Sequence, residues 1–230
     1  MNQQPPEKQN LLHPGLLQVH SIFRTIQGEG PFTGRRAVFV RLAGCNLQCP
    51  LCDTEYTAER QDLTPAAIVL EIDRLVTRTT RDPNPLVVIT GGEPFRQNLT
   101  ALVRHLLDAE YQVQIETNGT LYQELPFDKI TVVCSPKTGT VSRKLHPHVS
   151  ALKYVLHADR MMFDGLPASA LDHSAAPHLA RPWPEFKGTV YVQPVDIPGS
   201  NVEHLDATVE SVLENGYTLC LQTHKIIGVE

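Results

Sequence analysis

Residues 37–54 read AVFVRLAGCNLQCPLCDT, a short apolar strand that runs into a loop with three cysteines. Cys45, Cys49 and Cys52 have the spacing C-x3-C-x2-C. Three thiolates on one short loop can hold a compact iron–sulfur cluster, and three ligands leave one iron of a [4Fe–4S] cubane free to bind a second molecule. Zinc stays open as an alternative because thiolates suit both metals, although no second Cys or His pair with zinc spacing follows in the sequence.

The composition is that of an ordinary folded protein. Of the 230 residues, 41% are hydrophobic and 20% are charged, which suffices for a single α/β domain without disulfides. The formal net charge of −5 argues against a nucleic-acid or membrane-surface partner, since both favour a basic face. Because the chain has no secretory signal pattern and no apolar run of roughly 18 residues, we expect a cytoplasmic protein with reduced thiols.

Short β-branched runs alternate with helical patterns along the chain. The predicted strands are Leu17–Phe23, Ala37–Ala43, Leu86–Thr90, Gln112–Glu116, Lys129–Val133, Leu152–Leu156, Thr189–Gln193 and Thr218–Gln222. Several of them, such as LVVIT and ITVV, are apolar throughout, which is typical of strands covered on both faces and hence of a parallel sheet. The alternation predicts an α/β barrel or open sheet with ligands at the carboxyl ends of the strands.

Three segments between the strands are predicted to be helices. They are Thr64–Arg78, which begins with a Thr cap followed by proline, Asn98–Glu110 and Asn201–Gly216. Each carries apolar residues at helical spacing. The predicted core face of the last helix consists of Val202, Leu205, Val209, Val212 and Leu213.

The remaining segments define the domain organisation. Residues 1–15 are polar and contain prolines, so we expect a loose leader followed by one domain over residues 16–230. Residues 157–187 are rich in Pro, Ala and His and predict a surface insertion. It could be a lid or a partner contact, although a variable loop without a chemical role is the simpler interpretation.

Polar motifs follow four further strands. They are TGGEP at 90–94, ETNG at 116–119, SPK at 135–137 and QP at 193–194. Glycines let the backbone approach a ligand closely, and a carboxylate such as that of Glu93 suits an ammonium group. Each motif alone could be an ordinary turn. Four of them at successive strand ends indicate one site.

The cysteine loop resembles that of the radical S-adenosylmethionine (SAM) superfamily, and its flanks resemble one family within it. FRTIQGEG at 23–30, GRRAVFVR at 34–41 and QTHKIIGVE at 222–230, in order with the strand-end motifs, are similar to the 7-carboxy-7-deazaguanine synthase family. The resemblance covers about residues 17–230, except for 157–187. It implies a partial TIM-type barrel with parallel strands, the radical SAM core.

The resemblance also implies a reaction. The enzyme would be a lyase that converts 6-carboxy-5,6,7,8-tetrahydropterin into 7-carboxy-7-deazaguanine and ammonia for queuosine or other deazapurine biosynthesis. The implied cofactors are a [4Fe–4S] cluster, SAM and Mg2+, and the implied partners are an electron donor such as flavodoxin and a second copy in a homodimer. Two other hypotheses remain: an activase for a glycyl radical enzyme, and a non-catalytic zinc or iron–sulfur module.

Residue roles are carried over by position from the resemblance. Cys45, Cys49 and Cys52 would hold the cluster, and Thr54 would bind Mg2+. The implied cofactor-binding residues are Leu51, Cys52, Asp53, Gly92, Glu116, Ser135, Pro136, Lys137, Gln193, Pro194, Val195 and Asp196. The implied substrate-binding residues are Ile26, Gln27, Gly28, Glu29, Arg41, Thr90, His224 and Glu230.

Simpler interpretations exist for some of these residues. Arg41 would pair the substrate carboxylate through its fixed charge and fork geometry, but it could also form a salt bridge at the barrel rim. His224 could be a surface residue at a strand end. Cys134 and Cys220 receive no role, and buried structural cysteines are the default.

Overall fold

The computed structural model of the protein describes residues 4–13, 15–173 and 178–229. Its strands are β1 (Leu17–Ile26), β2 (Arg36–Leu42), β3 (Gln61–Leu63), β4 (Leu86–Gly91), β5 (Gln112–Thr117), β6 (Ile130–Cys134), β7 (Ala151–Leu156), β8 (Thr189–Pro194) and β9 (Thr218–Leu219). Its helices are α1 (Pro65–Leu75), α2 (Thr100–Asp108), α3 (Asn201–Asn215) and α4 (Thr223–Ile226).

The strands form one sheet in the order β3-β1-β2-β4-β5-β6-β7-β8-β9. From β2 to β9 each neighbouring pair is parallel, whereas β1 is antiparallel to both β2 and β3. Within the described ranges β3 and β9 do not pair, so the barrel is partial and open. The predicted α/β fold with parallel strands is confirmed, while the antiparallel first hairpin and β3 were not predicted.

The apolar runs explain why the central strands form where they do. Strand β7 is buried along its whole length, and so are the first four residues of β4. Ile68 and Ile72 of α1 and Leu102 and Leu106 of α2 pack in the same core as Ile89 of β4. Among the described residues, no helix combines the length and the apolar character needed to cross a bilayer.

Helix α3 buries a different face from the predicted one. Val202 is 72% exposed and Leu213 is 78% exposed, whereas His204, Thr208 and Ser211 are buried. The polar face can be buried because each side chain finds a partner there. Thr208 donates to the carbonyl of His204 at 2.7 Å, and Ser211 donates to the carbonyl of Gly165 at 2.6 Å. Val212 of the predicted face still packs against the core, so the apolar pattern was right for that residue and wrong for Val202 and Leu213.

The carboxyl-terminal strand is also shorter than predicted. Strand β9 ends at Leu219, although the N–H of Cys220 still donates to the carbonyl of Val192 on β8 at 2.9 Å. The chain then turns into α4, and the N–H of Thr223 donates to the carbonyl of Gly28 at 3.2 Å. The predicted strand over Thr218–Gln222 is wrong beyond its first residues because the chain leaves the sheet to contact the loop after β1.

The predicted leader contacts the cysteine loop. The N–H of Glu7 donates to the carbonyl of Cys45 at 2.7 Å, and the side chain of Gln4 donates to the carbonyl of Thr54 at 3.3 Å. Residues of the leader therefore lie against the cysteine loop, and their backbone groups find hydrogen-bond partners there.

One charge anchors this leader. The Glu7 carboxylate pairs with Arg60 and, at 3.1 Å, with Arg96. Arg96 is 5% exposed and also donates to the carbonyl of Ala43 at 3.0 Å. A guanidinium buried in this way needs a nearby carboxylate to offset its desolvation.

We expect the substitution Glu7→Gln to destabilise the protein by about 1–3 kcal/mol, because Arg96 loses its counterion while it stays buried. Calorimetry should show Tm lowered by roughly 2–10 °C for a chain of this size. The exposed substitution Glu210→Gln is the matched control. Equal Tm values for the two variants would show that the leader does not stabilise the fold.

Candidate active site

A cleft of about 420 Å³ opens at the carboxyl ends of the parallel strands. The predicted residues that line it are Ile26, Gln27, Glu29, Arg41, Leu51, Cys52, Asp53, Thr54, Thr90, Gly92, Glu116, Ser135, Lys137, Gln193, Pro194, Val195, Asp196 and His224. The structure therefore brings together residues from both ends of the chain.

The other predicted residues stand beside the cleft. Cys45 and Cys49 are buried behind Cys52 in the cysteine loop, and Pro136 is buried after β6. Gly28 packs so closely on His224 that a Cβ at residue 28 would lie 1.9 Å from the imidazole Nδ1. Glu230 lies outside the described residues.

The cysteine loop holds its three thiols in a protected environment. Burial raises the pKa of Cys45 to about 12 and that of Cys49 to about 11, and burial also raises the pKa of Cys52. The thiols are close enough for their charges to interact. Thiolates at this loop therefore need positive charge from a metal centre, which is the usual link between metal binding and deprotonation.

The thiols can be compared with the needs of a single metal ion and of a cluster. No three His, Cys, Asp or Glu side chains in the described part of the chain are arranged to hold one metal ion. A mononuclear zinc site needs donors about 2.0–2.3 Å from one centre. In a cubane, each cysteine binds a different iron, so its sulfurs need not converge.

Glycine 92 allows the strand end of β4 to meet the cysteine loop. A Cβ at Gly92 would lie 2.3 Å from the carbonyl oxygen of Gly44, and the N–H of Glu93 donates to that same oxygen at 3.0 Å. A residue with a side chain would push the two segments apart. The close approach leaves backbone at the cleft wall, as the glycine pair predicted.

The Glu93 carboxylate is used inside the protein. It is fully buried and accepts hydrogen bonds from the N–H groups of Phe95 at 2.9 Å and Asn118 at 2.7 Å and from the hydroxyl of Thr117 at 2.7 Å. Burial raises its pKa to about 7 despite these bonds. This carboxylate joins the ends of β4 and β5, and it is not among the side chains that line the cleft.

The SPK motif places a cation near the cluster loop. Lys137 lines the cleft, and its ammonium donates to the carbonyl and hydroxyl oxygens of Ser135. Burial lowers the pKa of Lys137, and the facing Cys49 and Cys52 partly restore it. This cation can therefore stabilise thiolates or an anionic ligand next to them.

Arg41 has an open guanidinium. It lies beside Thr90 in the register of β2 with β4, and its guanidinium carbon lies 5.2 Å from the centre of the Phe23 ring. Its Nε is buried without a hydrogen-bond partner, and no described acid forms an ion pair with it. The alternative of a rim salt bridge is therefore not realised within the described ranges.

Helix α4 closes the cleft from the carboxyl-terminal side. The Lys225 ammonium lies 2.9 Å from a carboxylate oxygen of Asp53 in the cysteine loop and 2.8 Å from one of Asp196 after β8. Despite burial, this cation holds the pKa of Asp53 below its usual value. Asp53 and Asp196, which both have a predicted cofactor role, are thus linked through Lys225 of the THK segment.

Comparison with known proteins identifies the family. A model of the radical SAM superfamily matches residues 40–130. The 7-carboxy-7-deazaguanine synthase of Rhodospirillum rubrum is 42% identical over 223 residues, which cover 93% of this chain and 92% of that protein. That of Rickettsia prowazekii is 38% identical over 225 residues, covering 93% and 89%. The chain belongs to the 7-carboxy-7-deazaguanine synthase family.

The fold comparison agrees with this family. The crystal structure of QueE from Escherichia coli is similar in fold, with a TM-score of 0.66 and 22% sequence identity. The matched region covers 90% of this chain and 93% of the QueE chain. The superfamily and the family that the sequence motifs predicted are both confirmed. The superfamily is one of radical SAM enzymes, which use a [4Fe–4S] cluster and SAM.

Sequence reasoning missed several residues of the cleft in this synthase-family chain. Lys153, Gln222, Lys225 and Leu171 all line it. A lysine inside the apolar run ALKYVL was a usable signal, because a buried charge requires a partner. Leu171 gave no signal, yet its carbonyl accepts the N–H of Leu51 at 3.1 Å, so the segment predicted as an insertion contacts the cysteine loop.

We expect Glu93→Ala to destabilise the protein by about 2–4 kcal/mol, because it leaves the buried N–H groups of Phe95 and Asn118 without acceptors. Urea unfolding under anaerobic conditions measures this loss. The exposed substitution Glu214→Ala should stay within about 0.5 kcal/mol of the unsubstituted protein. If Glu93→Ala unfolds at the same urea concentration as that control, Glu93 does not join the strand ends.

Proposed function

We propose that this chain converts 6-carboxy-5,6,7,8-tetrahydropterin into 7-carboxy-7-deazaguanine and ammonia in queuosine or another deazapurine pathway. Family membership supports the reaction class. The observation that carries the choice of substrate is Arg41, a cleft guanidinium without an acidic partner among the described residues. Such a group suits a ligand carboxylate, since its parallel N–H donors match the two oxygens.

The cofactor half of the site has suitable residues. Cys45, Cys49 and Cys52 would hold the cluster, and the backbone at Gly92 with the cation of Lys137 would face SAM. When bound, the cluster and SAM supply the electron and the radical that removes a hydrogen atom from the pterin. The chain itself positions the two ligands and limits their contact with water.

The substrate half is built around the loop after β1. Gln27 and Glu29 line the cleft, as do Arg41 and Thr90. The pyrimidine edge of the pterin offers N–H donors, which suit the carboxylate and amide oxygens of this loop. Arg41 would hold the carboxylate at the other end of the ligand. Two anchors at opposite ends fix the ring in one orientation.

We also propose Mg2+ as a second metal. Thr54 lines the cleft and its hydroxyl lies 3.3 Å from a carboxylate oxygen of Asp53. Mg2+ prefers oxygen donors and often keeps few protein ligands, with substrate and water completing its shell. The substrate carboxylate would supply a further oxygen between Thr54 and Arg41.

The wider setting is part of the same proposal. A small one-electron donor such as flavodoxin would reduce the cluster, and the chain would work as a homodimer in the cytoplasm. Exposed apolar side chains on α3, among them Val202 and Leu213, support an interface with another protein surface.

The direct test is anaerobic reconstitution with iron and sulfide followed by turnover. We expect the reconstituted protein, SAM and a reductant to convert the carboxylated pterin into the deazaguanine with release of one ammonia, and Mg2+ to accelerate the reaction. Chromatography of the products measures this. Activation of a partner protein instead of pterin turnover would favour an activase and contradict the proposal.

We expect Arg41→Gln to weaken binding of the carboxylated pterin by roughly 10-fold to 100-fold, because a charge-assisted pair is worth about 1.5–3 kcal/mol. Binding of tetrahydropterin, which lacks the carboxylate, should change little. Calorimetric titration of both ligands separates the two effects. The control is Arg24→Gln, an exposed β1 residue outside the cleft. Equal losses for both pterins would show that Arg41 does not bind the carboxylate.

A further inference from the structure

Lys153 stands on the inner face of β7, in the middle of a strand that is otherwise apolar. It lines the cleft with Val155, while Leu152 and Tyr154 point into the core. Only 6% of Lys153 is exposed. A buried ammonium costs free energy unless an opposite charge and hydrogen bonds compensate for it. Packing alone would be better served here by an apolar residue.

Two carboxylates compensate for this charge. The Lys153 ammonium donates to Oε2 of Glu29 and, at 3.2 Å, to Oε2 of Glu116. Glu29 follows β1 and Glu116 lies on β5, so these residues come from different parts of the sheet. One ammonium therefore links Glu29, which the proposed function gives to the substrate, with Glu116, which the family resemblance gives to the cofactor.

Glutamines hold the remaining carboxylate oxygens. Oε1 of Glu29 accepts from Gln193 at 3.1 Å and from Gln222 at 2.9 Å. These amide donors fix the direction of the carboxylate but carry no charge. Glu116 is held in the same manner, as its Oε1 accepts from Gln27 at 2.9 Å.

The pKa values of Glu29 and Lys153 depend on each other. Burial raises the pKa of Glu29, but the charge and hydrogen bond of Lys153 outweigh it and leave that pKa below its usual value. Burial lowers the pKa of Lys153, and the charges of Glu116 and Glu29 raise it by more.

Three other titratable groups face this set from neighbouring elements. They are Lys137 after β6, Cys220 after β9 and His224 on α4. Lys137 lies among the cysteine thiols, and burial lowers the pKa of His224. Neither side chain therefore replaces Lys153 as the cation between the two carboxylates. Cys220 can add only negative charge. Removal of Lys153 would therefore leave two carboxylates, 12% and 18% exposed, without a shared cation.

We propose that Lys153 is a positioning residue for both halves of the active site, holding Glu29 and Glu116 as fixed, charged acceptors for hydrogen-bond donors of the pterin and of SAM. The inference rests on the proposed function for the roles of the two glutamates. Without the ammonium, nearby carboxylates in a buried site repel one another, and one of them takes up a proton. A protonated carboxyl group loses acceptor capacity toward the ligand.

The experiment compares Lys153→Met and Lys153→Arg in the reconstituted protein. Affinities for the pterin and for SAM are measured separately by calorimetric titration from pH 6 to pH 9. Lys187→Met, an exposed lysine outside the cleft, is the matched control. Iron content and Tm are recorded for each variant, so that loss of the cluster or of the fold is distinguished from a local effect.

We expect Lys153→Met to weaken pterin binding by about tenfold or more near pH 6.5, with the deficit shrinking as pH rises, since each unit of pKa shift corresponds to a factor of ten. The direction follows from Glu29, whose pKa rises once the cation is gone and which regains its charge only in alkaline solution. Lys153→Arg keeps the cation and should show no such pH dependence. If Lys153→Met does not fold, Lys153→Gln, which keeps a donor without the charge, makes the same comparison.

A deficit of the same size at every pH would assign Lys153 to packing and overturn the proposal, as would unchanged affinity for both ligands. If the unsubstituted protein holds the cluster and SAM but does not convert the pterin, the proposed function fails separately. Lys153 is then decided by SAM alone: a loss of SAM affinity in Lys153→Met that Lys153→Arg does not show supports the positioning role, and unchanged affinity overturns it.

Discussion

The loop after β1 closes a sheet that cannot close by strand pairing, and the site depends on that closure. Its Gly30 N–H donates to the sulfur of Cys220 at 3.2 Å, and its Gly28 carbonyl accepts from Thr223 at 3.2 Å. Glu29 stands between these contacts and reaches the ammonium of Lys153 inside the barrel. An open parallel sheet exposes its interior at the missing strand pair. In this protein the Glu29–Lys153 ion pair and the loop after β1 take the place of the missing strand pairing.

The cysteine loop is held from two further sides. The leader lies against it through Glu7, whose carboxylate also neutralises the buried Arg96, and α4 is tied to it through the Lys225–Asp53 pair. A cluster loop must keep three sulfurs in place while one side stays open to a ligand. The segments that hold the loop come from the two ends of the chain, so the whole sequence contributes to one local geometry.

The sequence was informative where physical requirements are local. Short runs rich in β-branched and apolar residues placed six central strands within one residue at each end, because a buried strand needs apolar side chains. Helix α3 was misoriented because hydrogen bonds of Thr208 and Ser211, invisible in the pattern, make a polar face suitable for burial. Lys153 and Leu171 were missed for the same reason: their partners are distant in sequence and are fixed only by the tertiary fold.

Charge pairing separates the framework of the site from the part left for ligands. Arg96 forms an ion pair with Glu7, Lys153 with two glutamates and Lys225 with two aspartates. The positive charges of these three side chains are therefore neutralised within the protein. Arg41 lies in the same cleft with no acidic partner among the described residues. A buried group without a partner is unfavourable until a ligand supplies one, and the same interaction then favours binding. Arg41 and Lys137, whose hydrogen bonds go only to Ser135, are therefore the cleft cations that the described acids leave available for an anionic ligand.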